Sequence, residues 1–275
     1  MLQDGKLHLY LHHFLLSTIT IIPISPKPTT TGCADTMPDT HSVITPAIMY
    51  WGTPPVLITT TNEHGIANIG PMSSAWWLGH RCVLGLAGVS QTTINLLRTG
   101  QCVLNLASDD MGPHINRIAK TTGTPEVPAL KQGLGYTYCG DKFALAGLTS
   151  RPSDLVTSPR INECPVQLEA QLVDHMALMQ DLPDRSGAIL AIEVKILRTH
   201  IRHDLRMAGH ANRVDPDRWR PLIMKFQEFY GVSGKKTGKS ELADSTPEER
   251  YRALTRSDVV KQGGDMDEEV DADEI

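Results

Sequence analysis

Runs of β-branched and apolar residues separated by short polar turns dominate the chain between residues 54 and 231. The first run, residues 54–61 (PPVLITTT), leads into Asn62-Glu63-His64-Gly65. This predicts a strand and a hairpin turn in which Gly65 takes a positive φ. Residues 66–69 begin the return strand, and residues 81–87 (RCVLGLA) and 101–106 (QCVLNL) read as two more short strands. Between those two, residues 92–99 carry Ile94, Leu96 and Leu97 and stop at Gly100, which predicts a short helix with a glycine C-cap. Residues 109–135 read as helical and loop-like, with Ile115, Ile118 and Ala119 as a buried face. Two long strands follow, 163–173 (ECPVQLEAQLV) and 188–198 (AILAIEVKILR), the second alternating through Ile192, Val194 and Ile196. A hairpin connection at 181–187 joins them. Residues 199–216 are polar, and 217–230 (DRWRPLIMKFQEFY) is amphipathic but interrupted by Pro221. Many strands joined by hairpins, with few long helices, predict a mainly β protein: an antiparallel barrel with peripheral helices.

The ends do not share this pattern. Residues 14–25 (FLLSTITIIPIS) are apolar, but too short for a membrane span of about 20 residues and broken by Pro23. The preceding positive region is thin and no clear cleavage motif follows, so a secretory leader is a poor fit. A Pro/Thr-rich stretch at 26–31 reads as linker, and Met37 is an alternative start. Residues 1–44 are therefore expected to be an extension outside the fold. From 241 to 275 there are 12 acidic and 4 basic residues, a net charge of −8, within a chain of 275 residues whose net charge is −5. Such a self-repelling tail is expected to be disordered, and the body to span 45–240. The remaining net of +3 gives no strong electrostatic reason to bind nucleic acid. No segment predicts a membrane span.

The five cysteines form no Cys-x-x-Cys pair and their number is odd; Cys82, Cys102 and Cys164 sit in apolar runs. That usage points to free thiols in a reducing, cytoplasmic setting. His200-x-x-His203 lacks accompanying carboxylate or thiol ligands, and Arg198, Arg202 and Arg206 interleave with it, so no metal site is expected. The same arginines, with His203, could instead face the phosphate of a nicotinamide cofactor.

Two segments have ligand-binding potential. In Gly88-Val89-Ser90-Gln91-Thr92-Thr93-Ile94-Asn95, hydroxyls precede a helix whose first N–H groups have no internal partner and whose dipole favours an anion. A phosphate fits there, although taken alone the segment is ordinary N-capping. In Asn68-Ile69-Gly70-Pro71-Met72-Ser73-Ser74, an irregular strand end offers backbone donors and acceptors to a flat polar ring. Taken alone, this is a strand-ending turn. No Ser-His-Asp, Gly-x-Ser-x-Gly or Gly-x-Gly-x-x-Gly pattern supports a hydrolase or a dinucleotide-binding fold, and no catalytic acid or base is assigned.

Together the segments resemble the flavin reductase-like family. The resemblance rests on Asn68, Pro71 and Ser73, then Thr92 and Asn95, then Asn105-Leu106. It continues through Asp141-Lys142-Phe143, Ala146-Gly147-Leu148 and Glu163-Cys164-Pro165-Val166, covering about residues 48–231. It implies an FMN-binding split β-barrel with Greek-key-like antiparallel strands, usually a homodimer with flavin near the subunit interface. It implies FMN as cofactor, NADH or NADPH as electron donor, and flavin reductase chemistry. The alternative is a flavin carrier without turnover. The implied flavin contacts are Asn68 through Ser74, Ser90 through Thr93, Asn95, and Tyr230 as a C-terminal aromatic. Two departures stand out: Gln91 replaces a lysine common before Thr-x-x-Asn, and the bulky Trp76-Trp77 follows Ser74.

Overall fold

A computed structural model describes residues 40–232, 234 and 236–238. The expected acidic tail and most of the N-terminal extension lie outside the described residues. Residues 40–45 carry no regular structure, and the folded body begins at Pro46.

The strands, in chain order, are β1 (Trp51–Thr53), β2 (Val56–Thr61), β3 (Ala67–Met72), β4 (Ala75–Leu78), β5 (Arg81–Ala87), β6 (Gln101–Leu106), β7 (Thr121–Thr122), β8 (Thr137–Tyr138), β9 (Ser150–Arg151), β10 (Arg160–Ile161), β11 (Val166–Ala177), β12 (Ile189–Ile201), β13 (Leu222–Lys225) and β14 (Glu228–Gly231). The helices are α1 (Gln91–Thr99), α2 (Gly112–Ile118), α3 (Ala129–Gly133) and α4 (Lys142–Ala146). None of the helices described is long and apolar enough to cross a membrane.

Seven strands form one antiparallel sheet in the order β3-β2-β6-β11-β12-β5-β4. Its edge strands, β3 and β4, are joined by only Ser73 and Ser74. Three Cα steps span at most about 11 Å, so the two edges must come together and the sheet must roll. No ladder joins β3 to β4 among the described residues. The result is a split barrel with peripheral helices.

Alternation along each strand sorts side chains between two cores. Val56, Ile58, Leu84, Leu86, Leu104, Leu168, Ile192 and Val194 fill the barrel. Leu57 and Ile69 point to the other side, against Ile115 and Ile118 of α2 and Phe143 and Ala146 of α4. This explains why residues 56–60 are all buried although the strand is antiparallel: both of its faces are covered. Asn105, fully buried, knits the region together. Its Nδ2 donates to Leu57 O at 2.8 Å and its Oδ1 accepts from Ile161 N at 2.8 Å.

The predicted elements recur with shifted ends. Gly65 has φ 78° and Gly100 caps α1 with φ 67°. Ala119 is exposed, so α2 buries only Ile115 and Ile118 of the face expected there. Strand β4 was not anticipated. The amphipathic stretch at 217–230 is the hairpin of β13 and β14, turned by Phe226 (φ 48°) and Gln227 (φ 69°). Two consecutive positive φ values match the twist of a two-residue hairpin, an unusual demand on a phenylalanine. The Phe226 ring packs edge-on against Trp51, their centroids 4.6 Å apart.

Glu169 of β11 is a buried carboxylate with a structural task. It accepts from Asp154 N at 2.9 Å and Leu155 N at 2.6 Å, and lies 2.7 Å from His200 Nε2. Burial alone would raise its pKa, but those amides and His200 together hold it below the ordinary glutamate value. Its stabilising contribution is therefore complete above the ordinary value and is lost as pH falls through the lower, folded one. Glu169→Gln is expected to lower the unfolding free energy by about 1–3 kcal/mol at neutral pH, because an amide nitrogen then faces a backbone N–H. The wild-type excess should fade in acid; urea unfolding at neutral and acidic pH reads both effects. An unchanged neutral midpoint would contradict the assignment.

Candidate functional site

Helix α1 presses an unusually polar face into the protein. Ser90 caps it, with Thr93 N donating to Ser90 Oγ at 3.2 Å. Thr93 is fully buried and donates its hydroxyl to Ala87 O at 2.8 Å. Asn95, also fully buried, donates to Thr60 Oγ1 at 3.1 Å and accepts from Gln91 Nε2 at 2.8 Å. Thr92 Oγ1 accepts from Asn68 Nδ2 at 3.1 Å. Every buried polar group on this face thus has a partner, and the helix start is tied to β2, β3 and the end of β5.

Between β3 and the start of α1 lies a cavity of about 220 Å³. Asn68, Gly70, Pro71 and Met72 line it from β3, and Ser90, Gln91 and Thr92 from the helix start. Leu86, Ala87 and the segment from Ala119 to Gly123 close further sides, with Lys131, Tyr136 and Lys142 completing the wall. Among the described residues, no aspartate or glutamate lines it.

The structure divides the residues expected to contact a ligand. Asn68, Gly70, Pro71, Met72, Ser90, Gln91 and Thr92 converge on the cavity. Ile69 sits in the core between β3 and the helices. Ser73 is buried outside the lining, and Ser74 Oγ lies 3.2 Å from the Tyr50 hydroxyl. Thr93 and Asn95 hold the helix rather than face the cavity. Tyr230 stands on β14, half-exposed under the Lys225 ammonium, which is 4.1 Å from its ring centroid; it does not line the cavity. Trp77 packs against the barrel core and Trp76 is exposed.

Gly70 is needed for a different reason from the approach of a flat ring. A Cβ there would overlap Thr92 Oγ1 and lie 3.2 Å from Thr92 Cβ, so the glycine lets α1 dock on β3. Gly123 is equally tight: a Cβ would sit 2.5 Å from Asn68 Oδ1. Asn68 Oδ1 is itself buried without a hydrogen-bond partner. Whichever way the amide is turned, one of its polar atoms has no partner among the described residues.

Lys142 belongs to the Asp141-Lys142-Phe143 segment that carries the resemblance, but the sequence assigns it no contact with a ligand; it follows Asp141, which caps α4. It is buried, and its Nζ donates to Ile69 O at 2.9 Å on the open edge of β3. Burial lowers its pKa from 10.5 to about 8, against the smaller raising influence of Cys139. Lys142 and Lys131 place positive charge at the cavity wall, so the charge absent at Gln91 is supplied from elsewhere in the chain. The signal available in sequence was a lysine amid the apolar residues of a very short helix.

The donor set fits a flavin carrying a phosphate. The first turn of α1 offers free amides and a favourable dipole to the phosphate. The Asn68 amide and the unpaired edge of β3 offer donors and acceptors to a polar ring, and the lysines favour an electron-rich edge.

Comparison with known proteins bears on the fold and the family. Residues 49–232 match the model of the Flavin reductase like domain. An uncharacterized protein, YdfE, of Bacillus subtilis (strain 168) is 38% identical over 197 residues, covering 72% of this chain and 91% of that protein. The flavoredoxin of Desulfovibrio vulgaris (Miyazaki F) superposes with a TM-score of 0.58 at 19% identity, over 74% of this chain and 98% of its own. A Shewanella frigidimarina NCIMB 400 protein described as having a split barrel domain gives 0.53 at 15% identity, over 69% and 85%. At such identities the two structures speak to the fold alone, but the domain match and the Bacillus relative settle descent: the chain belongs to the flavin reductase-like domain family.

Proposed function

We propose that the protein binds FMN in the cavity between β3 and α1 and accepts electrons from NADH or NADPH onto that flavin. The observation that carries this reading is the joint lining of the cavity by a capped helix start, an orphaned asparagine amide and two lysines, without a carboxylate. A bound flavin would supply the hydride-accepting chemistry. The protein's own residues would do the rest. Ser90, Gln91 and Thr92 hold the phosphate, Asn68 and the β3 backbone orient the ring, and Lys142 stabilises negative charge beside it. The chain needs no side-chain nucleophile for this reaction.

At about 220 Å³ the cavity is smaller than the roughly 300–1,000 Å³ that encloses a typical bound small molecule. Part of a flavin would project from it, which supports a homodimer in which a second copy covers the exposed portion. The half-exposed Trp76 and the exposed Leu78 on edge strand β4 are suited to such a contact. Free thiols at Cys82, Cys102, Cys139 and Cys164 support a reducing, cytoplasmic setting; burial raises the pKa of Cys82 to about 12 and leaves it unreactive.

Oxidation of NADH or NADPH by the full-length protein should depend on added FMN and saturate with it. If FMN binds but neither nucleotide is oxidised, the reductase reading fails and the carrier reading replaces it.

A further inference from the structure

A second cavity, of about 830 Å³, shares no lining residue with the first. It opens where β12 ends and the chain turns through His203 to Val214, opposite β9, β10 and the start of β11. Among the described residues, five arginines line it, Arg151, Arg160, Arg202, Arg206 and Arg213, and no aspartate or glutamate does. Its volume is that of a small-molecule site.

The arginines are differently engaged. Arg160 forms a buried floor, its guanidinium fixed by Pro152 O at 2.9 Å and Gln167 Oε1 at 3.1 Å. Arg202 is clamped by Asp204 at 2.7 and 3.0 Å. Arg151 meets only the neutral amide of Asn162, at 3.3 Å. The side chains of Arg206, His80 and His203 make no hydrogen bond or ion pair with the described residues. The nearby carboxylates compensate part of this charge: Glu169 holds two amides and His200 and lies 4.0 Å from Arg160, and Asp154 pairs with Arg198 at 2.7 Å and with Arg160 at 3.8 Å, so the uncompensated charge is that of Arg151 and Arg206.

Arg151 and Arg206, which meet no carboxylate among the described residues, bring two positive charges to one concave place, and an anion seated there would relieve their repulsion. Nothing in the packing of the fold requires Arg206 or Arg151 to face this space, since both are exposed. Guanidinium groups are matched in shape and charge to phosphate oxygens. The cavity is too large for a single inorganic phosphate to fill. We propose that it is a second ligand site, separate from the flavin cavity, for a nucleotide-sized anion carrying at least two phosphate groups.

The test is calorimetric titration of the full-length protein at low salt, with and without saturating FMN, using pyrophosphate, ADP, adenosine and citrate. Pyrophosphate and ADP should bind at one per chain in both conditions, weaken as salt rises, and far exceed adenosine and citrate. Arg206→Gln should weaken ADP by at least about tenfold, and the Arg151→Gln/Arg206→Gln double variant further, with FMN affinity unchanged. Both side chains are exposed, so folding should persist, and circular dichroism melts verify it. The proposal is overturned if ADP and pyrophosphate give no heat at millimolar concentration, or if the folded variants bind as the wild type does. It is equally overturned if citrate binds as tightly as pyrophosphate, or if saturating FMN displaces ADP. Because binding is read without FMN as well, failure of the flavin reading would not be mistaken for failure of this one.

Discussion

Replacing Lys142 by methionine is expected to weaken flavin binding by at least about tenfold while removing a pH-dependent penalty from the apoprotein. The side chain is buried at the cavity wall, and burial brings its pKa from 10.5 to about 8. Below pH 8 it is charged in both the folded and the unfolded chain, and the folded chain bears the cost of burying that charge. Between about 8 and 10.5 the folded lysine is neutral while the unfolded one still holds its proton. The unfolded state then binds more protons, so stability rises with pH across that window. The gap corresponds to about 3 kcal/mol. Methionine, similar in length and uncharged, has no such slope. The difference in unfolding free energy between variant and wild type should therefore shift by about 3 kcal/mol, in favour of the wild type, from pH 7 to above 10.5. Such a group, costly to the empty protein and placed against a ligand cavity, is the pattern of a site residue. A parallel pH dependence in both proteins, together with unchanged FMN affinity, would remove Lys142 from the site.

Gly70→Ala is expected to destabilise the protein by about 1–3 kcal/mol and to disable flavin binding with it. The new methyl group would overlap Thr92 Oγ1, so α1 must retreat from β3 or Thr92 must leave its rotamer. Either movement breaks the bond between Asn68 and Thr92 and disturbs the part of the cavity wall that they form. Adding Thr92→Ala removes the overlapping oxygen but leaves a tight approach of 3.2 Å to Cβ, so the double variant should recover part of the stability. Non-additive thermal or denaturant midpoints are the readout. If the two losses simply add, the docking of α1 on β3 does not run through this pair.

How much of this was legible in sequence depends on the range over which each signal acts. Local chemistry was readable: the positive φ at Gly65, the C-cap at Gly100, and the alternation of Ile192, Val194 and Ile196 on β12. The convergence of Asn68, Gly70 and Thr92 was readable because two short motifs carried it. Long-range features were not. β4 is only four residues and contains Trp76-Trp77, whose opposite fates depend on which face of the rolled sheet each meets. Thr93 and Asn95 look like ligand contacts in sequence, yet Ala87 at the end of β5 and Thr60, distant in the chain, engage their side chains. Lys142 reaches the cavity through a short helix whose position is set by packing against β3 and α2. The arginine-lined cavity draws on segments from His80 to Val214, and only its C-terminal portion drew attention as a local cluster.

The central claim is that the cavity beside α1 holds a flavin by its phosphate as well as its ring. Titration of the flavin-free full-length protein with FMN and with riboflavin, followed by flavin fluorescence, tests this most directly. On this reading the N–H groups of the first turn of α1 meet the phosphate and not the ring, so FMN should bind at least about tenfold more tightly than riboflavin. Equal affinities, or no binding of either, would contradict it.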